Sequence, residues 1–83
     1  MRLIDLRMLE QFQPGYIIEF KYYDVFYDHR RTRGLIHEFW SIEQTYRDGV
    51  LCSRVCESGA IIKEYFNINT LIERGVLNEE KVL

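Results

Sequence analysis

The residues of this chain that could do chemistry are few and scattered. They are two histidines, His29 and His37, two cysteines, Cys52 and Cys56, and three arginines within four positions, Arg30, Arg31 and Arg33. The arginines belong to Tyr27-Asp28-His29-Arg30-Arg31-Thr32-Arg33-Gly34, the one charge run in the sequence. So many guanidinium groups cannot be buried without partners, so the run reads as an exposed loop. A guanidinium fork suits carboxylate and phosphate alike. The chemistry on offer is therefore recognition, either of an acidic protein surface or of phosphates, set against the plainer role of a solvated hairpin loop.

The cysteines and histidines suggest no reaction. Cys52 and Cys56 fall in a predicted strand, where four residues separate Cα atoms by about 13 Å, beyond the 7 Å or so that a disulfide spans. Reduced thiols are expected. Cys-x-x-x-Cys is not a zinc spacing and no second pair completes four ligands, so no metal is expected. His37 has no activating neighbour in sequence, since Glu38 points to the opposite face of a strand. Phosphate-binding glycine loops, His-Glu-x-x-His and Gly-x-Ser-x-Gly are all missing. The expectation is a protein without catalysis and without a cofactor.

Aromatic residues shape the remaining choice. Six Tyr, five Phe and one Trp can build a self-standing core in 83 residues, or line an interface or a homo-oligomer contact. The candidate binding set is Tyr23, Tyr27, His29, Arg30, Arg31, Arg33 and Trp40, because Arg, Tyr and Trp are the types enriched where interfaces gain most of their energy. A net charge of −2, with both signs mixed along the chain, argues against a globally basic nucleic-acid binder. A protein partner with an acidic surface is the leading expectation. The alternative is single-stranded nucleic acid, its bases stacked on Tyr27 and Trp40. No stretch has the length of a membrane span, the first residues lack the apolar run of a leader, and a cytoplasmic protein is expected.

The elements that must position these residues read as one mainly β domain over 1–83, with its core at 13–77 and a frayed tail at 78–83. Leu6, Leu9 and Phe12 have helical spacing behind Asp5 as a cap, so a short helix is predicted over 3–12, ended by Pro14-Gly15. Tyr16 to Tyr23 alternates as a half-buried strand with Ile18, Phe20 and Tyr22 inward, and a bulge is expected at Asp24-Val25-Phe26. Three further strands follow at 35–46, 50–57 and 60–66. Asp48-Gly49 and Ser58-Gly59 are expected as left-handed two-residue loops between them. In the strand from Leu35, Ile36, Trp40 and Ile42 take one face with Glu38, while Leu35 and Phe39 take the other with His37. Apolar residues on both faces predict a small closed barrel or a sandwich. Asn67 to Thr70 then caps a one-turn helix closed by Gly75.

This order, with Pro14-Gly15, a strand, a charged loop, Arg33-Gly34-Leu35-Ile36 opening a long strand, a meander and a helical turn at Asn69 to Arg74, resembles the small SH3-like barrels, including many short proteins of bacteriophages and mobile elements. The resemblance spans residues 13 to 77. It implies an antiparallel barrel of four to five strands and a small accessory protein that binds and blocks a host factor. The charged loop is basic here, where signalling SH3 domains carry an acidic one, which speaks against polyproline recognition.

Overall fold

The structure, a computed structural model, describes residues 5–24 and 34–78. The chain is mainly β, as expected. Its strands are β1 (Ile17–Asp24), β2 (Gly34–Thr45), β3 (Gly49–Val55) and β4 (Ile61–Asn67), followed by a helix α1 (Ile68–Glu73). They form one antiparallel sheet in the order β1-β2-β3-β4. The described residues do not close a barrel, since β1 and β4 lie at opposite edges with no pairing between them. The Cα extents of 40 × 32 × 14 Å fit a sheet with a single covering layer. One face of the sheet is thus packed and the other is open.

The packed face follows the alternation of the sequence. Ile18 and Phe20 of β1, Trp40 and Ile42 of β2, Val50 and Cys52 of β3 and Phe66 of β4 are all buried. Three aromatics lock across the strands. Phe66 meets Phe20 edge-on at 4.6 Å and Trp40 edge-on at 4.9 Å, the geometry that the ring quadrupole favours. Arg74 lies over Phe20, Tyr22 and Phe66 at 5.6, 5.1 and 5.4 Å from their centroids and covers apolar area with its planar head.

The N-terminal segment is two 3-10 turns, Leu6–Met8 and Glu10–Phe12, not the single helix predicted, and Leu9 between them is extended at φ −94°, ψ 116°. The reason is burial. In a continuous helix residues six apart point about 120° away from each other, yet Leu6 and Phe12 are both fully buried against the same sheet. The kink at Leu9 lets both reach it. Asp5 does cap the first turn, accepting from the Arg7 backbone N–H at 3.1 Å and from the Arg7 guanidinium at 3.0 Å, and that guanidinium holds the Asp5 carboxyl below its ordinary range. The Thr45 hydroxyl donates to the Phe12 carbonyl and ties this segment to the end of β2.

The loops correct two details. Between β3 and β4 the Cys56 N–H donates to the Ala60 carbonyl at 2.8 Å, so the expected two-residue loop at Ser58-Gly59 is a three-residue one, Glu57 to Gly59, with Gly59 at φ 86°. Between β2 and β3 the Tyr46 N–H donates to the Gly49 carbonyl at 2.8 Å, so the loop residues are Arg47 and Asp48, and Gly49 opens the strand without a positive φ. Gly49 is required for a different reason: a Cβ there would lie 2.5 Å from the Phe66 carbonyl oxygen and run into the Tyr65 side chain. The expected bulge at Val25 and Phe26 lies outside the described residues.

The C-terminal turn is built from local signals that the sequence does carry. The Asn67 side chain accepts from the Thr70 N–H at 2.8 Å, as an N-cap does. At the other end Gly75 N–H donates to Ile72 O and Val76 N–H donates to Leu71 O at 2.9 Å, with Gly75 at φ 77°. That is the Schellman pairing, and Leu71 and Val76 make its apolar contact within the core. The turn then runs along β1, where the Lys21 N–H donates to the Arg74 carbonyl at 3.2 Å. The edge of β1 is covered at that point.

Candidate binding surface

The open face of the sheet holds the side chains that the packed face does not. Cross-strand neighbours place Glu19 beside Phe39, Lys21 beside His37 and Tyr23 beside Leu35 on β1 and β2, and Val55 beside Ile61 on β3 and β4. These residues alternate with the buried ones and so point outward. Tyr23, Leu35, Phe39, Val55 and Ile61 are each at least half exposed, and Ile17 is 68% exposed. His37 Nε2 lies 3.0 Å from Glu19 Oε2, and its ring packs beside Phe39 at 5.0 Å. The result is an apolar surface dotted with single charges.

The predicted binding residues divide three ways. Tyr23 lies on this open face, 61% exposed. Trp40 does not: it is 3% exposed, inside the core, so a base-stacking or docking role for its ring is corrected to a packing role. Tyr27, His29, Arg30, Arg31 and Arg33 lie outside the described residues, in the part of the sequence between β1 and β2, which is flanked by the paired Asp24 and Gly34, next to Tyr23 and Leu35. What the sequence reading missed is Phe39, Val55, Ile61 and Ile17. The signal for them is the apolar character of both faces of β2, which predicts two packing surfaces where the structure has one packed and one open.

A second feature lies between β2 and β3. Their ladder runs from Thr45/Val50 to Ser41/Ser53, with an irregularity between Ile42 and Gln44, and stops there. Backbone direction follows from the hydrogen bonds at its end. Ile42 donates to Tyr16 O at 2.8 Å and accepts from Gly15 N–H at 2.9 Å, so even-numbered residues of β2 direct their backbone groups toward β1 and odd-numbered ones away from it. On β3, Cys56 N–H donates to Ala60 O at 2.8 Å, so the odd-numbered residues there face β2. Phe39 and Val55 would be the next pair. They flank a fork instead, an open slot of about 420 Å³ lined by Ile17, His37, Phe39 and Val55 on the open face and by Glu38, Trp40 and Arg54 on the packed face.

Side chains bridge the fork where the backbone does not. The Arg54 guanidinium lies 5.2 Å over the Trp40 ring, and its Nη2 is 3.5 Å from Glu38 Oε2. Trp40 Nε1 and Arg54 Nε are both buried without a hydrogen-bond partner. Cys52 and Cys56 are free thiols. Burial, reinforced by the Glu43 carboxylate, pushes the Cys52 thiol up to about 12, which keeps it protonated and unreactive at neutral pH. Among the described residues no three His, Cys, Asp or Glu side chains gather as a metal site would require, and no helix is long and apolar enough to cross a membrane.

Comparison with protein-family models, with curated proteins and with solved structures gives no match.

Proposed function

We propose that the chain is a non-catalytic binding module that engages a protein partner through the open face of its sheet. The observation that carries this reading is the set of exposed apolar side chains at Tyr23, Leu35, Phe39 and Val55. Apolar residues scattered singly over a surface need no explanation, but contiguous ones rimmed by charge are typical of interaction sites. The arginines at positions 30, 31 and 33 are joined through the chain to the Tyr23 and Leu35 end of that face. They favour a partner whose apolar surface is flanked by carboxylates. The resemblance to small SH3-like proteins of phages and mobile elements makes a host factor the class of partner to seek first. The free thiols of Cys52 and Cys56 fit a reducing compartment, the cytoplasm.

The test compares capture from a nuclease-treated bacterial lysate by three forms of the protein: the unchanged chain, the Phe39→Asp/Val55→Asp variant, and the Arg30→Ser/Arg31→Ser/Arg33→Ser variant. The reading expects one stoichiometric protein on the unchanged chain, lost on the first variant and weakened on the second, with both variants folded. Capture of nucleic acid alone, abolished by nuclease, would support the single-strand alternative. That alternative now lacks Trp40 as a stacking platform. Undiminished capture by the Phe39→Asp/Val55→Asp variant would remove the open face from the interface.

A further inference from the structure

The fork between β2 and β3 is shaped for an extended peptide. We infer that it accepts a strand of the partner polypeptide, paired to the free side of β2 across Phe39 and His37, an inference that rests on the protein-binding reading above. The first argument is the backbone. Beyond Ser41/Ser53 the N–H and C=O groups of Phe39 and His37 point away from β1 toward a side on which no β3 residue is paired. A row of such groups is a template for strand addition, the mode in which main-chain hydrogen bonds give affinity and pockets for alternate side chains give specificity.

The second argument is the lining. An added strand puts successive side chains on opposite faces of the sheet. On the open face they meet Ile17, Phe39 and Val55, which select apolar groups. On the packed face they meet Trp40 and Arg54, whose Nε1 and Nε have no acceptor. A buried donor left without a partner is a cost that an incoming acceptor removes. The acceptor reaches these nitrogens when the Arg54 side chain, 38% exposed, shifts off the Trp40 ring. Glu38 already balances the charge of Arg54, so an uncharged acceptor such as a side-chain amide fits better than a second carboxylate. The occupant is therefore an extended segment that alternates apolar residues with residues carrying an uncharged hydrogen-bond acceptor.

The experiment titrates the nitrogen-15-labelled protein with a capped seven-residue peptide of alternating valine and glutamine, carrying a polyethylene glycol tail for solubility. Trp40 is the one tryptophan, so a single indole N–H signal reports the inner wall directly. The expected result is movement of that indole signal together with the backbone amides of Phe39 and His37. Of the two peptides N-methylated at alternate residues, the one whose methyl groups fall on the N–H groups facing β2 should bind about tenfold more weakly or worse, because it loses its ladder donors. A lysine-for-glutamine peptide, which offers no side-chain acceptor, should leave the indole signal in place. The inference falls if the three signals stay still at millimolar probe, or if both methylation patterns bind as tightly as the parent. If it falls while Phe39→Asp/Val55→Asp still abolishes capture from lysate, the strand slot is wrong and the binding module stands. If the probe behaves as expected but capture is unchanged in that variant, which alters the slot's own lining, the captured partner docks elsewhere and both the open-face interface and its strand in the slot fall.

Discussion

Replacing Gly75 by alanine separates two contributions that glycine makes at one position. Gly75 sits at φ 77°, and a Cβ added there would lie 2.9 Å from the Lys21 carbonyl oxygen of β1. The left-handed backbone alone costs an alanine about 1 to 2 kcal/mol. The close approach adds to that, because the C-terminal turn must back away from β1, and the Lys21 N–H to Arg74 carbonyl bond at 3.2 Å goes with it, a further loss of about 0.5 to 1.5 kcal/mol. The expected total is about 1.5 to 3.5 kcal/mol. Gly15 supplies the control, since it too has a positive φ, 91°, but its Cβ would meet nothing within 4 Å. Gly15→Ala should therefore show the conformational cost without the collision. Urea unfolding followed by tryptophan fluorescence reads both variants, and for a domain this small each kcal/mol of difference moves the melting temperature by about 4 to 8 °C. Amide exchange at Lys21 should be slow in the unchanged protein and in Gly15→Ala, and fast in Gly75→Ala. Equal destabilisation of the two variants, with Lys21 still protected in both, would show that the turn does not bear on the edge of β1.

Other perturbations test the two faces and the titrating groups. Phe20→Ala removes a fully buried ring that packs edge-on to Phe66, and should cost about 3 to 5 kcal/mol, enough to collapse the near-ultraviolet dichroism of a marginal domain. Phe39→Thr, a strand-compatible change on the open face, should change stability by no more than about 1 kcal/mol, and a loss of the about 3 to 5 kcal/mol expected for a buried ring would mean that this face is packed. Disulfide-exchange reagents should label Cys56 in the folded protein and Cys52 only on unfolding, because Cys52 is fully buried and its thiol is raised to about 12. Burial, followed by the hydrogen bond to Asp48, likewise raises the Tyr65 hydroxyl to about 12 from its ordinary 10.0. Both groups stay protonated longer in the folded than in the unfolded chain. Their contribution to stability is complete below about pH 9 and is lost as pH rises toward 12. Urea midpoints that hold steady over that window would contradict the assignment.

Much of the local structure was legible in the sequence because its causes are local. The alternation through Ile18, Phe20 and Tyr22 fixes the inward face of β1, and Asn67 through its side chain and Gly75 through its backbone bound α1 with hydrogen bonds made within a few residues. What was not legible depends on residues far apart in the chain. Gly49 reads as a turn glycine until Tyr65 and Phe66 are seen beside it. Leu6, Leu9 and Phe12 read as one helix until two of them must reach a single sheet. Trp40 shares with Tyr23 the composition of a binding residue, and only the pairing of β1 with β2 places one ring in the core and the other in solvent. The end of the β2–β3 ladder at Ser41/Ser53 leaves no signature in residue type at all.

The far side of β4 has a consequence for how the protein behaves at high concentration. Its backbone groups at Ile61, Lys63 and Tyr65 point away from β3 and leave an edge on which another strand could grow. Two copies meeting there about a two-fold axis keep like faces together, so only certain alignments are open to them. Full overlap of the strands sets Glu64 against Glu64. A slip toward the hairpin sets Lys63 against Lys63, and a slip toward α1 presses Glu64 onto the buried Phe66 position. The first two alignments are therefore penalised by like charge and the third by the carboxylate set against an apolar position, whereas a foreign strand with different residues at those points meets no such penalty. Two adjacent residues in the middle of one strand thus disfavour edge-to-edge dimers, and the like-charge part of that penalty weakens as salt is added.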